Sequence, residues 1–353
     1  MAKVIRISDD NGSTWSNLPG SEGSFENNAE EIDDTILGQT YQSNETGLIT
    51  WGVSANGIFK GFAGYLAELK GPGTSTAMTD QATALVSGKT YQIVDVTRRV
   101  IDRAVAITVE DNSTPVSAAN IESIDYLFGR VTFVSGYTVN GAVTITGNYI
   151  PLVVLGRGNT YTLTMTAEEI DETDFQTAQA NGGHRVFLPG LRTVNLEVGG
   201  IFSASQNAKA DLVARNELII DIDPVGDGST LARGFFKYST VGQSGAVGAL
   251  EEETLNFTLN VPIEETNPAI QYPFNWQFTN TSLAQAIQKA ITAWLGEINT
   301  YDVQYLPTGA PGQSPLDGVQ GNVMFSDISL SGGLSNMNVF TMDMRGVGGY
   351  TEV

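Results

Sequence analysis

The sequence predicts a mainly β protein with one amphipathic helix and a small additional β domain. Two long regions, 89–150 and 160–262, are built from segments in which apolar and polar residues alternate with period two. One stretch, 282–298, repeats its apolar residues at helical spacing. Gly, Asn and Pro punctuate the rest at short intervals. At 353 residues the chain is long enough for two or three domains and a sizeable core.

Residues 1–28 are rich in Asn, Ser, Gly and Asp and include Pro19-Gly20. Beyond Val4, Ile5 and Ile7 they are expected to form an arm with little core of its own, ordered by a neighbouring subunit. The segment LITWGVSANGIFKGFAGYLAEL, 48–69, reads as strands, with Asn56-Gly57 as a hairpin turn. Gly71-Pro72-Gly73 breaks the chain, and a short helical turn is expected within 74–88.

TYQIVDV, AVAITVE, GRVTFVS and AVTITGNYI then read as strands of a small sandwich or barrel, with Asn140-Gly141 joining the last two as a hairpin. PLVVLGRG, 151–158, reads as a linker. Strand patterns resume in YTLTMTAEEI, LRTVNLEVGGIFSA, NELIIDID, RGFFKYSTV and TLNFTLNVP. The helix follows in SLAQAIQKAITAWLGEI, with Thr281 or Ser282 as its cap and Gly296 in its final turn. YDVQYLP, a Gly/Pro/Ser loop at 307–322, NVMFSDISLSGG and MNVFTMDMRGVG close the chain as strands and loop. The expected layout is an arm and loop at 1–50, first strands at 51–84, an accessory β domain at 85–155 and a main domain at 156–353.

An internal repeat cuts across that layout. GLITWGVSANGIF at 47–59 aligns without gaps with GLRTVNLEVGGIF at 190–202, an offset of 190 − 47 = 143. EEIDDT at 30–35 and EEIDET at 168–173 precede them at an offset of 168 − 30 = 138, so the second loop is five residues longer. One chain then holds two copies of a hairpin-and-loop element, with two whole domains as the larger alternative.

The chemistry carried by the sequence is sparse. There are 39 acidic residues against 18 basic ones, a net charge of −21, which opposes tight binding to nucleic acid. With no cysteine, disulfides and thiolate metal sites are excluded. No leader and no span of about 18 apolar residues is visible. The one histidine, His184, reads as an exposed loop residue, and nothing marks a nucleophile for it to activate. DIDPVGDGS at 221–229 resembles a calcium loop only superficially, because Pro224 and Val225 interrupt the acids and no Glu ends it. Glu168 and Glu169 should face opposite sides of a strand and share no site. Glu251 to Glu253 are expected to form a repelling surface. Arg98, Arg99 and Arg103 are expected to pair locally with Asp95 and Asp102. No catalytic, cofactor or metal residue is assigned, and no enzymatic activity is expected.

The ordered set YTLTMTAEEIDETDF, LPGLRTVNLEVGGIF, EEETLNFTLNVP, YPFNWQF, TSLAQAIQKAITAWLGE and GNVMFSDISLSGGLSNMNVFTMDMRGVG, covering 159–353, resembles the major tail tube proteins of long-tailed bacteriophages. Residues 90–152 look like a small β domain that precedes or interrupts the tube domain in some of them. The resemblance implies a β-sandwich or partial barrel with one flanking helix, self-assembly into stacked rings, contact with other tail proteins, and DNA passing through the lumen without tight binding. It implies a virion tail location, assembly in the bacterial host cytoplasm, no cofactor and no membrane.

Hexameric rings are favoured, because only the second region carries the helix and closing strands. Three chains of duplicated domains are the alternative. The loops around Gln39 and Thr46, and around Gln176, Asn181, His184 and Val186, are expected to make contacts between rings. The segment 1–50 with its repeat departs from the family pattern. Rival readings are a carbohydrate-binding or adhesin-type β protein, supported by Tyr91, Tyr126, Phe128 and Tyr137, and another ring-forming tail part such as a terminator or contractile inner tube. A hydrolase with paired carboxylates finds no support, since nothing places two acids across a cleft.

Overall fold

The computed structural model describes residues 3–37, 39–60, 69–201, 208–225, 230–245, 251–261, 269–270, 273–279, 283–296, 301–309, 318–333 and 336–353. In chain order the elements are β1 (Val4–Ser8), β2 (Ser16–Asn17), β3 (Gly20–Asp33), β4 (Asn44–Lys60), β5 (Leu69–Pro72), β6 (Thr76–Ser87), β7 (Thr90–Ile93), β8 (Thr108–Asp111), β9 (Thr114–Pro115), β10 (Ile121–Asp125), β11 (Arg130–Phe133), β12 (Val143–Tyr149) and β13 (Leu152–Asp171). There follow α1 (Phe175–Ala180), β14 (Phe187–Ile201), α2 (Ala208–Ala214), β15 (Leu218–Ile222), β16 (Thr230–Ser244), β17 (Glu252–Leu259), β18 (Ala269–Ile270), β19 (Phe274–Phe278), α3 (Gln285–Leu295), β20 (Tyr301–Leu306), β21 (Val319–Gly333) and β22 (Asn336–Glu352). The chain is mainly β, as the alternating patterns predict. It divides into two units: Met1–Gly64, Thr162–Val194 and Asn280–Val353 form the first, Tyr65–Tyr161 and Asn195–Thr279 the second.

In the first unit the strands run β2-β1-β20-β21-β22-β4-β3, each pair antiparallel. Helix α3 packs on β21 and β1. Its stripe of Ala286, Ile287, Ala290, Ile291 and Trp294 is buried, as the spacing requires. The helix ends at Leu295, and Gly296 caps it at φ 94°, a left-handed conformation that a side chain would strain. The predicted cap positions 281 and 282, and residues 297 and 298, lie outside the described residues. A second cluster forms where Trp51 meets Phe25 at 6.1 Å and Tyr350 at 5.6 Å, with the indole N–H donating to the Gly348 carbonyl at 2.7 Å.

In the second unit the order is β5-β15-β16-β17-β14-β13, with α2 packed on β16. The small β domain adds a sheet ordered β18-β10-β11-β7-β6-β12-β8-β9. Its core of Ile93, Phe128, Val131, Phe133 and Ile145 includes Ile219 and Phe235 from β15 and β16. Buried Asp125 accepts from the N–H groups of Leu127 and Phe128 and from the Asn275 amide at 3.0–3.1 Å.

The two sheets share one topology. Strand for strand, β1, β20, β21, β22, β4 and β3 correspond to β5, β15, β16, β17, β14 and β13. The β-bulge between Phe325 and Asp327, opposite Met344 and Asp343, recurs between Tyr238 and Thr240, opposite Phe257 and Asn256. Both strands of the pair agree on the offset: 325 − 238 = 87 and 344 − 257 = 87. Helices α3 and α2 precede the corresponding strands β20 and β15, and each is followed by a left-handed residue, Gly296 and Arg215.

Several expectations are corrected. Residues 1–28 are not a free arm: β1 sits inside its sheet, β2 pairs with β1 and residues 20–28 pair with β4. Beyond β1 they do bury little, Leu18 being the buried side chain among the described residues. Asn56-Gly57 makes no turn, because β4 is paired on both edges there, with β3 and β22. Gly57 serves close approach instead, since a Cβ would lie 2.5 Å from the Pro19 carbonyl oxygen. Residues 76–87 form β6 and no helical turn, and the small domain therefore begins ahead of residue 85. Asn140-Gly141 joins no hairpin: β12 pairs with β6 and β8, and the Asp111 carboxylate ties both backbone N–H groups at 2.8 Å. The supposed linker 151–158 is the start of β13, paired with β5. Two further short helices, α1 and α2, join α3. The ground for preferring six chains also falls, because each sheet owns a helix and closing strands. The chain supplies them to the first sheet only after completing the second.

Candidate assembly site

Two long antiparallel arms are the most distinctive surface feature. β3 and β4 make the first and enclose residues 34–43. β13 and β14 make the second and enclose 172–186. The acidic hexapeptides end the outgoing strands at Asp33 and Asp171, and the returning strands start at Asn44 and Phe187. Both spacings match the sequence repeat.

Local geometry repeats as well. A Cβ on Gly47 would meet Ile32 and the Glu30 Cβ, and one on Gly190 would meet Ile170 and the Glu168 Cβ, all within 2.9–3.2 Å. Glycine at the two sites lets the isoleucine of the facing strand lie across the ladder. Asp33 Oδ1 accepts from Thr35 N–H, and Asp171 Oδ1 from Thr173 N–H, each at 2.9 Å. These bonds stabilise the carboxylates. The Thr35 side chain and then its N–H hold Asp33 below the ordinary carboxylate range. The Thr173 side chain does the same for Asp171, aided by Arg185. Each acidic hexapeptide is therefore a strand terminus whose aspartate closes a turn.

The longer second loop contains α1, a helix of six residues. Asp174 caps it in a capping box with Thr177. In the first unit this longer tip reaches the first arm: Ile49 N–H donates to the Gly183 carbonyl at 2.9 Å. The Arg185 guanidinium contacts both Glu30 and Asp171. Glu169 pairs with Arg345 at 3.1 Å while Glu168 lies against Gly190, so the two glutamates do face apart.

The expected contact residues separate into two groups. Gln39 and Gln176 are exposed near the arm tips. Thr46 lies on the first arm's ladder opposite Glu31, and Val186 on the second, its carbonyl accepting from Glu172. Asn181 and His184 are half-buried within the chain: Asn181 caps α1, and His184 Nδ1 lies 2.8 Å from the Asn181 carbonyl with Tyr350 edge-on at 5.5 Å. His184 is thus not the exposed loop residue expected. Sequence reasoning missed Leu37 and Phe175, which are essentially fully exposed at the two tips. Their signal was an apolar residue inside a polar loop.

A cleft of 880 Å³ in the second unit is lined by Lys70, Arg99, Arg233, Asp221 and Asp223 among others, and Arg233 pairs with Asp221 at 3.1 Å. Burial lowers the Arg99 pKa, and the charges of Arg233 and Arg130 lower it further. Arg98 pairs with Asp95 as expected, but Arg103 reaches Glu217 in place of Asp102. Glu253 is buried, not part of a repelling surface, and Gln243 donates to it. Residues 226–229 of the acidic turn lie outside the described residues.

No family model and no curated protein matches the chain. Solved structures similar to part of it include two from gene transfer agent particles. A chain from the tail of an empty gene transfer agent particle with C6 symmetry is 15% identical over 32% of this chain and 84% of its own, with a TM-score of 0.28. A chain from the virion of a native gene transfer agent particle is 16% identical over 31% and 85%, also at 0.28.

Proposed function

We propose that the protein is a non-enzymatic virion structural protein that assembles with itself into stacked rings, forming a tail tube through which DNA passes. The observation that carries the reading is the pair of acidic arms tipped by Leu37 and Phe175, which are large apolar side chains in water with no role in the chain's own core. Arms of this kind suit contact between rings. The net charge of −21 supports a conduit that repels phosphate and leaves DNA mobile. The ordered sequence motifs support the tail location. If the ring has the six positions that the family resemblance implies, the duplicated sheet lets three chains fill them.

Negative-stain microscopy of the concentrated protein tests the reading. Hollow rings in stacks are expected. A protein that stays monomeric at every concentration, or rings whose lumen is lined by Lys and Arg, overturns it.

A further inference from the structure

We infer that neighbouring chains join by repeating, between molecules, a strand contact that the chain already makes within its first unit. There β13, whose residues from Thr162 onward belong to that unit, pairs with β21. The contact is well covered: Leu163, Met165, Ile328 and Leu330 are buried, and Ala167, Met324 and Phe325 share one depression.

The duplicated topology names the counterpart of each strand. β3 corresponds to β13 at an offset of 138, and β16 corresponds to β21 at an offset of 87. Among the described residues these counterparts are open. β3 pairs only with β4, so its outer edge carries no strand partner. On β16, β15 covers one edge only from Ala232 to Phe236, while β19 and β17 pair along the other, which leaves the β15 edge free of a strand beyond Phe236 among the described residues.

Burial follows the same division. Ile328 and Leu330 are buried, whereas their counterparts Val241 and Gln243 are half-buried and exposed. Met165 and Ala167 are buried, whereas Asn27 and Ala29 are exposed. Two strands that are covered in one copy of the fold are bare in the other, and they are the two that would meet. Such a contact is heterologous, so it propagates from chain to chain and makes a ring where its rotation closes. It also removes the unpaired edge that a long strand like β3 would otherwise present. The occupant of each edge is therefore a second copy of this chain, with β3 of one laid along residues 237–244 of the next. The inference rests on the self-assembly part of the proposed function and not on its virion part.

The absence of cysteine makes the test direct. Ala29→Cys is combined in one chain with Tyr238→Cys, Ser239→Cys or Thr240→Cys, and each variant is oxidised in the assembled state. The control combines Ala167→Cys with Phe325→Cys, Ser326→Cys or Asp327→Cys and should cross-link within one chain. A denaturing gel is expected to show a ladder of covalent multimers for at least one of the three Ala29 combinations. Assemblies of native mass with no cross-link in any combination overturn the strand assignment while leaving self-assembly intact. A protein without assemblies overturns both.

Discussion

Arg185 donates its backbone N–H to the carbonyl of Ile49 at 2.8 Å, and its guanidinium touches Glu30 on the first arm and Asp171 on the second. One residue of the second arm therefore holds the first arm at two points, Ile49 at 185 − 49 = 136 residues away and Glu30 at 185 − 30 = 155. Arg185→Ala should loosen that junction without unfolding the unit. Half-exposed ion pairs contribute little, so amide exchange at Ile49 and Arg185 should quicken by about two- to fivefold. Unchanged exchange would mean that the backbone bridge alone joins the arms.

The arm turns should be acid-sensitive. Asp33 and Asp171 have folded pKa values below their unfolded ones, held there first by the Thr35 and Thr173 side chains. Their contribution is complete above the unfolded carboxylate pKa and is lost as pH falls through the folded value. Proton titration by NMR should show both transitions below the ordinary aspartate range, and exchange at Thr35 and Thr173 should rise with them. Transitions at the ordinary value would remove the assigned role of the turns.

Asp125 behaves oppositely. Burial raises its pKa despite the nearby Arg130 charge and three hydrogen bonds. A raised folded value means that the contribution of Asp125 to stability is present at low pH and is lost as pH climbs through that value. Asp125→Ala leaves the Leu127 and Phe128 N–H groups and the Asn275 amide without their acceptor. It should cost about 2–4 kcal/mol in a denaturant titration. A loss under about 0.5 kcal/mol would show that water or another acceptor replaces it.

Leu37→Ser and Phe175→Ser should leave folding within about 0.5 kcal/mol of the parent, because neither side chain is buried. Their effect should fall on stacking, read as shorter tubes or single rings by microscopy. Tubes of parental length from the double variant would place the stacking contact elsewhere.

Asp327 and Asp343 face each other at the bulge of β21 and β22. Burial and then the Asp343 charge raise the Asp327 pKa. Asp327→Asn should raise the melting temperature at neutral pH and change it little in acid, where Asp327 is already protonated. Equal gains at both pH values would point to packing and not charge.

Period-two alternation was enough to show the β class, and the helical stripe from Ala286 to Trp294 needed nothing beyond its spacing. The arm repeat was equally legible, because the hairpin fixes which residues cross the ladder: Gly47 and Gly190 face Ile32 and Ile170, and the acids end the strands. The turns were read worst. Asn56-Gly57 and Asn140-Gly141 carry strong local hairpin propensity, yet the first is paired across both edges of a sheet and the second is tied by Asp111 from another strand. Leu37 and Phe175 stood in loops where no periodicity could mark them as exposed.

What the sequence determined alone was the local grammar: strand, stripe, repeated arm and an acidic balance. Only the tertiary structure decided that the duplication covers a whole sheet. The first copy's helix and closing strands lie at the far end of the chain, with the second copy between. Strand pairing is set by hydrogen bonds between segments hundreds of residues apart, and local propensity carries no information about which distant strand completes a given edge.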